Sequence, residues 1–404
     1  MALWKKVLIG LALGVFLGAT LKEHNIYLKP LGDVFIRLIK MIIVPLIFFA
    51  IVAGITNAKN SKSLGKIGLK ASIAYFCTTI FAVIIGLSVA ILFKPGIGIS
   101  LNFDKSIAKL PESGSVTKII DTILQIIPDN ALGAMVQGHI LQVVFFALFT
   151  GITINQLDKD SSTKISGMIK LLSDVVFKMV HLITQLSPIA ACALTAWVIG
   201  TQGIDVLINL AKLILCAYFA FALQYLVFGA MIYLFTKLSP KFFFKKSIEY
   251  QALAFSTSSS KAALPTTIKV CREKLGISEF SSSFVLPLGA SINMDGIAIY
   301  ISICTLFFAQ ATGTTLNLGD YGTIIFMATL GSIGGAGIPG GTIVMLPMVL
   351  GSVGLPIEGI ALIVGIDRII DMMRTTISIT GDAAVTLCID HSEGMLDKEK
   401  YESS

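Results

Sequence analysis

The chain has 404 residues, of which 55% are hydrophobic and only 14% charged. Soluble globular domains carry roughly 25% charged residues, so that class is excluded and a polytopic membrane protein is indicated. The net charge of +7 is no nucleic-acid footprint, because the lysines gather in short connections between apolar runs.

Stretches able to cross about 30 Å of hydrocarbon cover 3–21, 31–55, 68–93, 116–157, 168–199 and 204–234. The alternation of a membrane β-barrel is missing, which leaves an all-α bundle. The first stretch, after Lys5 and Lys6, has the look of a signal peptide, but a second span follows at once and a retained helix is expected. Lys59, Lys62, Lys66 and Lys70 crowd the second connection, and Lys237, Lys241, Lys245 and Lys246 crowd the one before Tyr250. The positive-inside rule makes both cytoplasmic. The polar segment 95–118 then lies outside by alternation. Pro128, Gly133 and Gly138 interrupt the fourth stretch and predict a helix in pieces. The six cysteines, Cys77, Cys192, Cys216, Cys271, Cys304 and Cys388, show no paired spacing and read as small buried hydrophobes.

Beyond Tyr250 the pattern changes. Two apolar segments are too short and too punctured to be ordinary spans: 252–270, with the run Ser256 to Ser260 inside it, and 322–355, broken by Gly331, Gly334, Gly335, Gly337, Pro339, Gly340 and Gly341. Each precedes a span with polar residues at its centre. The first of these, 284–310, carries Asn293-Met294-Asp295-Gly296; the second, 360–388, carries the residues between Asp367 and Asp382. Interrupted hydrophobic segments in matching positions of two halves are the sequence sign of an inverted-repeat transporter site. Irregular backbone at membrane depth survives only where it is buried in protein or lines a cavity.

In the last span Asp367, Asp371, Arg374, Thr375, Ser378 and Asp382 are spaced by 4, 3, 1, 3 and 4. At about 100° per residue they share one helix face within an arc of roughly 100°. An ionisable group within such a helix costs on the order of 2.5–3.5 kcal/mol on insertion scales, so the stripe implies a polar cavity for a charged ligand. Arg374 reads either as one half of an ion pair within the helix, with Asp371 or Asp367, or as a fork for a ligand carboxylate. Arg368 reads as a snorkelling or locally paired side chain. The serine run offers hydroxyls and amides to a ligand, and the glycine-rich segment offers a mobile gate. Asn293 and Asp295 either fix helix packing as a buried pair or, with Tyr75, Thr78 and Thr79, surround a bare cation. No His/Cys spacing for a metal, no Ser-His-Asp order and no Walker loop is present, so an enzyme is not expected.

The motifs Thr257-Ser258-Ser259-Ser260, Asn293-Met294-Asp295-Gly296, Gly334 to Gly340 and Asp371-Met372-Met373-Arg374-Thr375, in that order and spacing, resemble those of the dicarboxylate/amino acid:cation symporters, the group of the glutamate transporters and their prokaryotic homologues. The resemblance covers essentially the whole chain. It implies eight transmembrane helices plus two re-entrant helical hairpins in inverted repeats, a homotrimer, and an elevator mechanism. Residues 1–65 and 96–200 would form a scaffold, 66–95 and 201–390 a transport domain, and 391–404 a cytoplasmic tail. It further implies that Asp371 receives a substrate amino group and Arg374 its side-chain carboxylate, with Thr375 and Ser378 at the main-chain end. Ser258, Ser259 and Ser260 of the first hairpin and Ile338, Pro339, Gly340, Gly341 and Thr342 of the second would close over the ligand. Sodium would be held by Gly289, Asn293 and Asp382; by Ser291, Ser332, Ile333 and Gly335; and by Tyr75, Thr78, Thr79, Asn293 and Asp295.

Several positions depart from the family pattern. Ser378 stands where amino-acid carriers usually have Asn, and Ile297, beside the substrate side chain, replaces a Thr. Lys261 falls where Ser is common, and Thr342 where Gly is common. Members that carry dicarboxylates without an amine generally lack the counterpart of Asp371, and neutral amino acid carriers lack that of Arg374. The reading is a sodium-coupled symporter importing glutamate or aspartate through the inner cell membrane, with sodium as the co-transported ion. Its rival is a proton-coupled carrier of the same family; a ligand-gated anion channel is the alternative from another class.

Overall fold

The computed structural model describes residues 3–21, 27–57, 65–98, 127–202, 206–334 and 341–403, and no strand occurs among them. Apolar runs fold as helices because a helix satisfies its own N–H and C=O groups where water is absent. In chain order these are α1 (Leu3–Leu21), α2 (Lys29–Asn57), α3 (Gly65–Phe93), α4 (Ala131–Gln137), α5 (Ile140–Gln156), α6 (Lys159–Thr184), α7 (Ser187–Gln202) and α8 (Val206–Thr236). They continue with α9 (Pro240–Thr257), α10 (Ser260–Glu273), α11 (Glu279–Ile292), α12 (Asp295–Ala311), α13 (Leu318–Gly334), α14 (Gly341–Ser352), α15 (Ile360–Ser392) and α16 (Lys398–Glu402).

The fourth apolar run is divided as its glycines predict, with Gly138 left-handed (φ 70°) at the end of α4. Two expected single spans are broken. The stretch 168–199 is two helices, α6 and α7, meeting where the amides of Gln185 and Leu186 turn back to the carbonyls three residues earlier. Pro188 is in the first turn of α7, where its missing N–H costs nothing. The span 284–310 likewise divides into α11 and α12 at Asn293-Met294. Of the polar connection 95–118, the part beyond residue 98 is outside the described residues. Cys77 is exposed, Cys192 and Cys388 partly so, and only Cys216, Cys271 and Cys304 are buried as expected.

Among the described residues three stretches are long and apolar enough to cross a membrane: Ile67–Phe93, Leu207–Thr236 and Glu279–Ala311, the last including the break. α12 is the centre of the core, buried along its length except at Gln310. It packs against α3, α8, α13, α14 and α15. Elsewhere α1 lies on α7 through Gly10, Gly14 and Gly18, one helical turn apart. A Cβ at Gly14 would stand 2.6 Å from the Cys192 carbonyl oxygen and one at Gly18 2.7 Å from Ile199 Cβ. Small residues in register let helices approach closely where no hydrophobic force separates lipid from protein.

The chain end is docked. Asp390 accepts from the amide (2.9 Å) and hydroxyl (2.5 Å) of Ser278 at the start of α11. Lys246 Nζ donates to the carbonyls of Lys274 (3.0 Å), Lys400 (2.8 Å) and Tyr401 (2.8 Å). Tyr401 is fully buried, donates to the Ser239 carbonyl at 2.9 Å and meets Phe242 edge-on. Lys70 pairs with Glu393. Lys70, the 237–246 connection and the tail therefore meet at one end of the molecule.

Emptying the Tyr401 pocket tests this docking. Tyr401→Ala should cost about 3–5 kcal/mol, whereas Tyr401→Phe, which loses one hydrogen bond, should cost about 1 kcal/mol. Thermal unfolding of the purified protein measures both; equal, negligible losses would mean the tail is not held.

Candidate functional site

Interruptions of three helical elements converge on the middle of α15. α9 and α10 form a packed pair whose turn is Ser258-Ser259: Ser258 is left-handed (φ 51°), and the Ser259 hydroxyl caps α10 by accepting from the Ala262 amide at 3.3 Å. The second is the α11–α12 break, and the third is the start of α14. A small cavity, about 10 Å³, is lined by Ser260, Met294, Ile297, Asp371, Arg374, Thr375 and Ser378. That is about the room of one water molecule. The N-termini of α10 and α12 border it, each presenting the positive end of a helix dipole.

Arg374 is the largest fully buried side chain, 1% exposed. Its Nη2 faces Asp371 Oδ1 at 2.6 Å, and its Nη1 donates to Asp367 Oδ1 at 3.1 Å and to the Thr342 hydroxyl. Arg368 reaches the other Asp371 oxygen at 3.3 Å. Two aspartates and two arginines thus balance at the centre of the helix, which is how buried charge is retained. The ion-paired reading of Arg374 describes this geometry, with both aspartates taking part, and Arg368 is locally paired. The Ser378 hydroxyl bridges α15 to the break: it accepts from the Gly296 amide and donates to the Arg374 carbonyl, both at 3.2 Å. Gly296 is required there, since a Cβ would collide with that carbonyl. The hydroxyls of Ser258 and Ser260, both buried, have no hydrogen-bond partner among the described residues.

A second cluster lies on the other side of the break. Asn293 Nδ2 donates to Asp382 Oδ1 at 2.9 Å, while its Oδ1 accepts from Thr78 and Thr79, each at 3.3 Å. Thr79 also reaches Asp295 Oδ1 at 3.0 Å. Asn293, Asp295 and Asp382 are completely buried, and Asp382 Oδ2 has no partner among the described residues. Gly289 lets Tyr75 and Asp382 come together: a Cβ there would stand 2.5 Å from the Tyr75 hydroxyl and 2.7 Å from Asp382 Oδ1. Tyr75 itself donates to the Val285 carbonyl at 3.0 Å. The carboxylates receive only neutral donors among the described residues. Burying charge without a counter-charge is costly, and oxygen ligands of this kind suit a hard cation. The residues present therefore fit one.

The predicted ion set of Ser291, Ser332, Ile333 and Gly335 lies partly outside the described residues. Ser291 and Ser332 spend their hydroxyls on the Pro287 (2.9 Å) and Thr329 (2.7 Å) carbonyls of their own helices. Ile333 is on the last turn of α13, and Gly335, Ile338, Pro339 and Gly340 lie outside the described residues. Gly341 opens α14 beside Thr342. One residue escaped the sequence reading: Gln224 of α8, fully buried, with Nε2 3.5 Å from Asp295 Oδ2. A lone amide midway along an apolar span was the available signal.

The family described as the sodium:dicarboxylate symporter family matches residues 3–392. The chain is 33% identical to a proton/glutamate-aspartate symporter of Escherichia coli, over 98% of this chain and 94% of that one. It is 32% identical to a proton/sodium-glutamate symport protein of Bacillus subtilis, with the same coverage. It is 35% identical to a C4-dicarboxylate transport protein of Azorhizobium caulinodans, over 98% and 90%. These relatives are transporters, and the expectation that the chain is no enzyme agrees with them.

A cation between Asp295 and Asp382 would leave a signature in stability. In choline buffer Asp382→Asn should stabilise the fold, since an uncompensated buried carboxylate costs at least about 1–3 kcal/mol. In sodium the order should reverse, because a ligand at 100 times its Kd adds about 2.7 kcal/mol to the unsubstituted protein. Melting curves in the two buffers test this; an unchanged sodium response in the variant would remove Asp382 from the site.

Proposed function

The chain belongs to the sodium:dicarboxylate symporter family, and from that premise we propose that it imports an acidic amino acid, aspartate or glutamate, with sodium. One observation carries the reading: a buried arginine held by aspartates lies one helix break away from carboxylates that receive only neutral donors among the described residues. The first cluster suits a zwitterionic diacid. Asp371 takes the ammonium and Arg374 the side-chain carboxylate, which guanidinium geometry accepts in two parallel hydrogen bonds. Thr375, Ser378 and the amides at the α10 N-terminus hold the main-chain carboxylate, the Ser258 and Ser260 hydroxyls adding donors. The second cluster binds sodium through Asp382, Asn293 and Gly289, and through Thr78, Thr79, Asn293 and Asp295 with Tyr75. Because Asn293 bonds Asp382 from the break that also carries Ile297, filling the ion site orders the wall of the substrate site. That is the physical basis of coupling.

The same reading makes α9–α10 and α13–α14 re-entrant hairpins, α14 with the preceding glycines an outer gate, and the bundle a homotrimer of elevators in the cell membrane. Support comes from packing: α12 gathers α3, α8, α13, α14 and α15, whereas α2 packs mainly on α5, α6 and α7, the two groups meeting where α2 touches α13 and α14 and where α7 touches α15. The first group is the transport domain, within 66–95 and 201–390; the second is the scaffold, within 1–65 and 96–200. A second reading, an amine-free C4-dicarboxylate, draws on one observation. Both oxygens of Asp371 already face arginines, which leaves less negative charge to attract an ammonium.

Uptake by proteoliposomes under sodium, proton and combined gradients, with labelled aspartate, glutamate and succinate, separates these readings. Accumulation of aspartate or glutamate driven by sodium alone is expected. A proton gradient that suffices by itself would make protons the coupled ion, succinate alone would select the amine-free reading, and mere equilibration would indicate a channel. Arg374→Cys should weaken aspartate binding by about 3–5 kcal/mol, roughly 100- to 5000-fold. Unchanged affinity would make Arg374 structural.

A further inference from the structure

Thr342 is the second residue of α14 and completely buried. Its hydroxyl meets Arg374 Nη1, the nitrogen that also serves Asp367. A guanidinium carries two N–H bonds on each terminal nitrogen, so Thr342 and Asp367 together occupy those of Nη1. The branched side chain stands where a ligand carboxylate would approach Arg374, and Met294 and Ile297, 1% and 4% exposed, line the adjoining cavity. Asp371 and Arg374 are one helical turn apart on a rigid helix, so the two ends of the site cannot move apart to admit a longer ligand.

The geometry points to Thr342 as the residue that sets substrate chain length: its bulk beside Arg374 admits a four-carbon diacid and excludes a five-carbon one. The inference rests on the acidic-substrate reading above. One methylene is typically discriminated by about 10- to 200-fold in a packed pocket, so aspartate should be preferred over glutamate, and succinate over glutarate if amine-free acids bind, by a factor in that range. The hydroxyl and the bulk act separately: the hydroxyl satisfies Arg374, and the branched carbons limit length.

Competition binding by aspartate, glutamate, succinate and glutarate in saturating sodium, on the full chain and three variants, tests this. Thr342→Gly should bring four- and five-carbon acids to within a few-fold of each other. Thr342→Ser, smaller by one methyl, should fall between, and Thr342→Val, which keeps the bulk without the hydroxyl, should keep the preference while binding both lengths more weakly. Equal affinities for the two lengths in the unsubstituted protein, or a full preference surviving in Thr342→Gly, would overturn the proposal. Should Thr342→Gly fail to fold, judged by loss of its sodium-induced shift in melting temperature, Thr342→Ser decides: a preference identical to that of the unsubstituted protein overturns it. If none of the four acids binds, the acidic-substrate reading itself fails, a result distinct from equal binding of both lengths.

Discussion

A guanidinium removed from water at the centre of a membrane-length helix constrains everything packed around it. Arg374 remains charged in that position because Asp367 and Asp371, one helical turn or two away on the same face, lie within hydrogen-bonding distance of it. Arg368, three residues before Asp371 on the helix, balances that aspartate. Removing any one partner would leave an uncompensated buried charge, which is far more costly than never having buried the pair. The α9–α10 tip, the α11–α12 break and the α14 N-terminus are placed where their polar groups face this cluster. A lipid-facing helix could not tolerate such ends.

In the proposed reading, coupling between ligand and ion would follow from the same break. Asn293 and Met294 separate α11 from α12, yet the residues on either side serve both clusters: Asn293 and Asp295 face Asp382, Thr78 and Thr79, while Met294 and Ile297 face Asp371 and Arg374. Ser378 ties the break to α15 through Gly296. A cation offsetting Asp295 and Asp382 would therefore act on the wall of the ligand site over a few ångströms. No long-range pathway is needed.

Local periodicity made much of this legible in the amino-acid order. The stripe from Asp367 to Asp382 declares a polar face because its six polar residues, spaced by 4, 3, 1, 3 and 4, follow the helical period. Gly138, the serine run and the glycine-rich segment mark interruptions through residues that favour turns. The α11–α12 break was not legible as a break, since Asn293-Met294 contains neither Gly nor Pro and is held open by partners from α3 and α15. The α6–α7 junction escaped for the opposite reason: Pro188 is compatible with a first helical turn, so hydropathy runs straight through it. Gln224 and the docking of Tyr401 depend on residues 71 and 162 positions away, which no local pattern records. Ser378 and Thr342 were visible as unusual residues, but their hydrogen bonds were not.

A cryo-electron microscopy map of the protein saturated with sodium and aspartate tests the central claim most directly. The account predicts the aspartate side-chain carboxylate in two parallel hydrogen bonds on Arg374, its ammonium against Asp371, and ion density beside Asp382 Oδ2. Arg374 still enclosed by Asp367 and Asp371, with aspartate bound elsewhere or Asp382 without an ion, would contradict it.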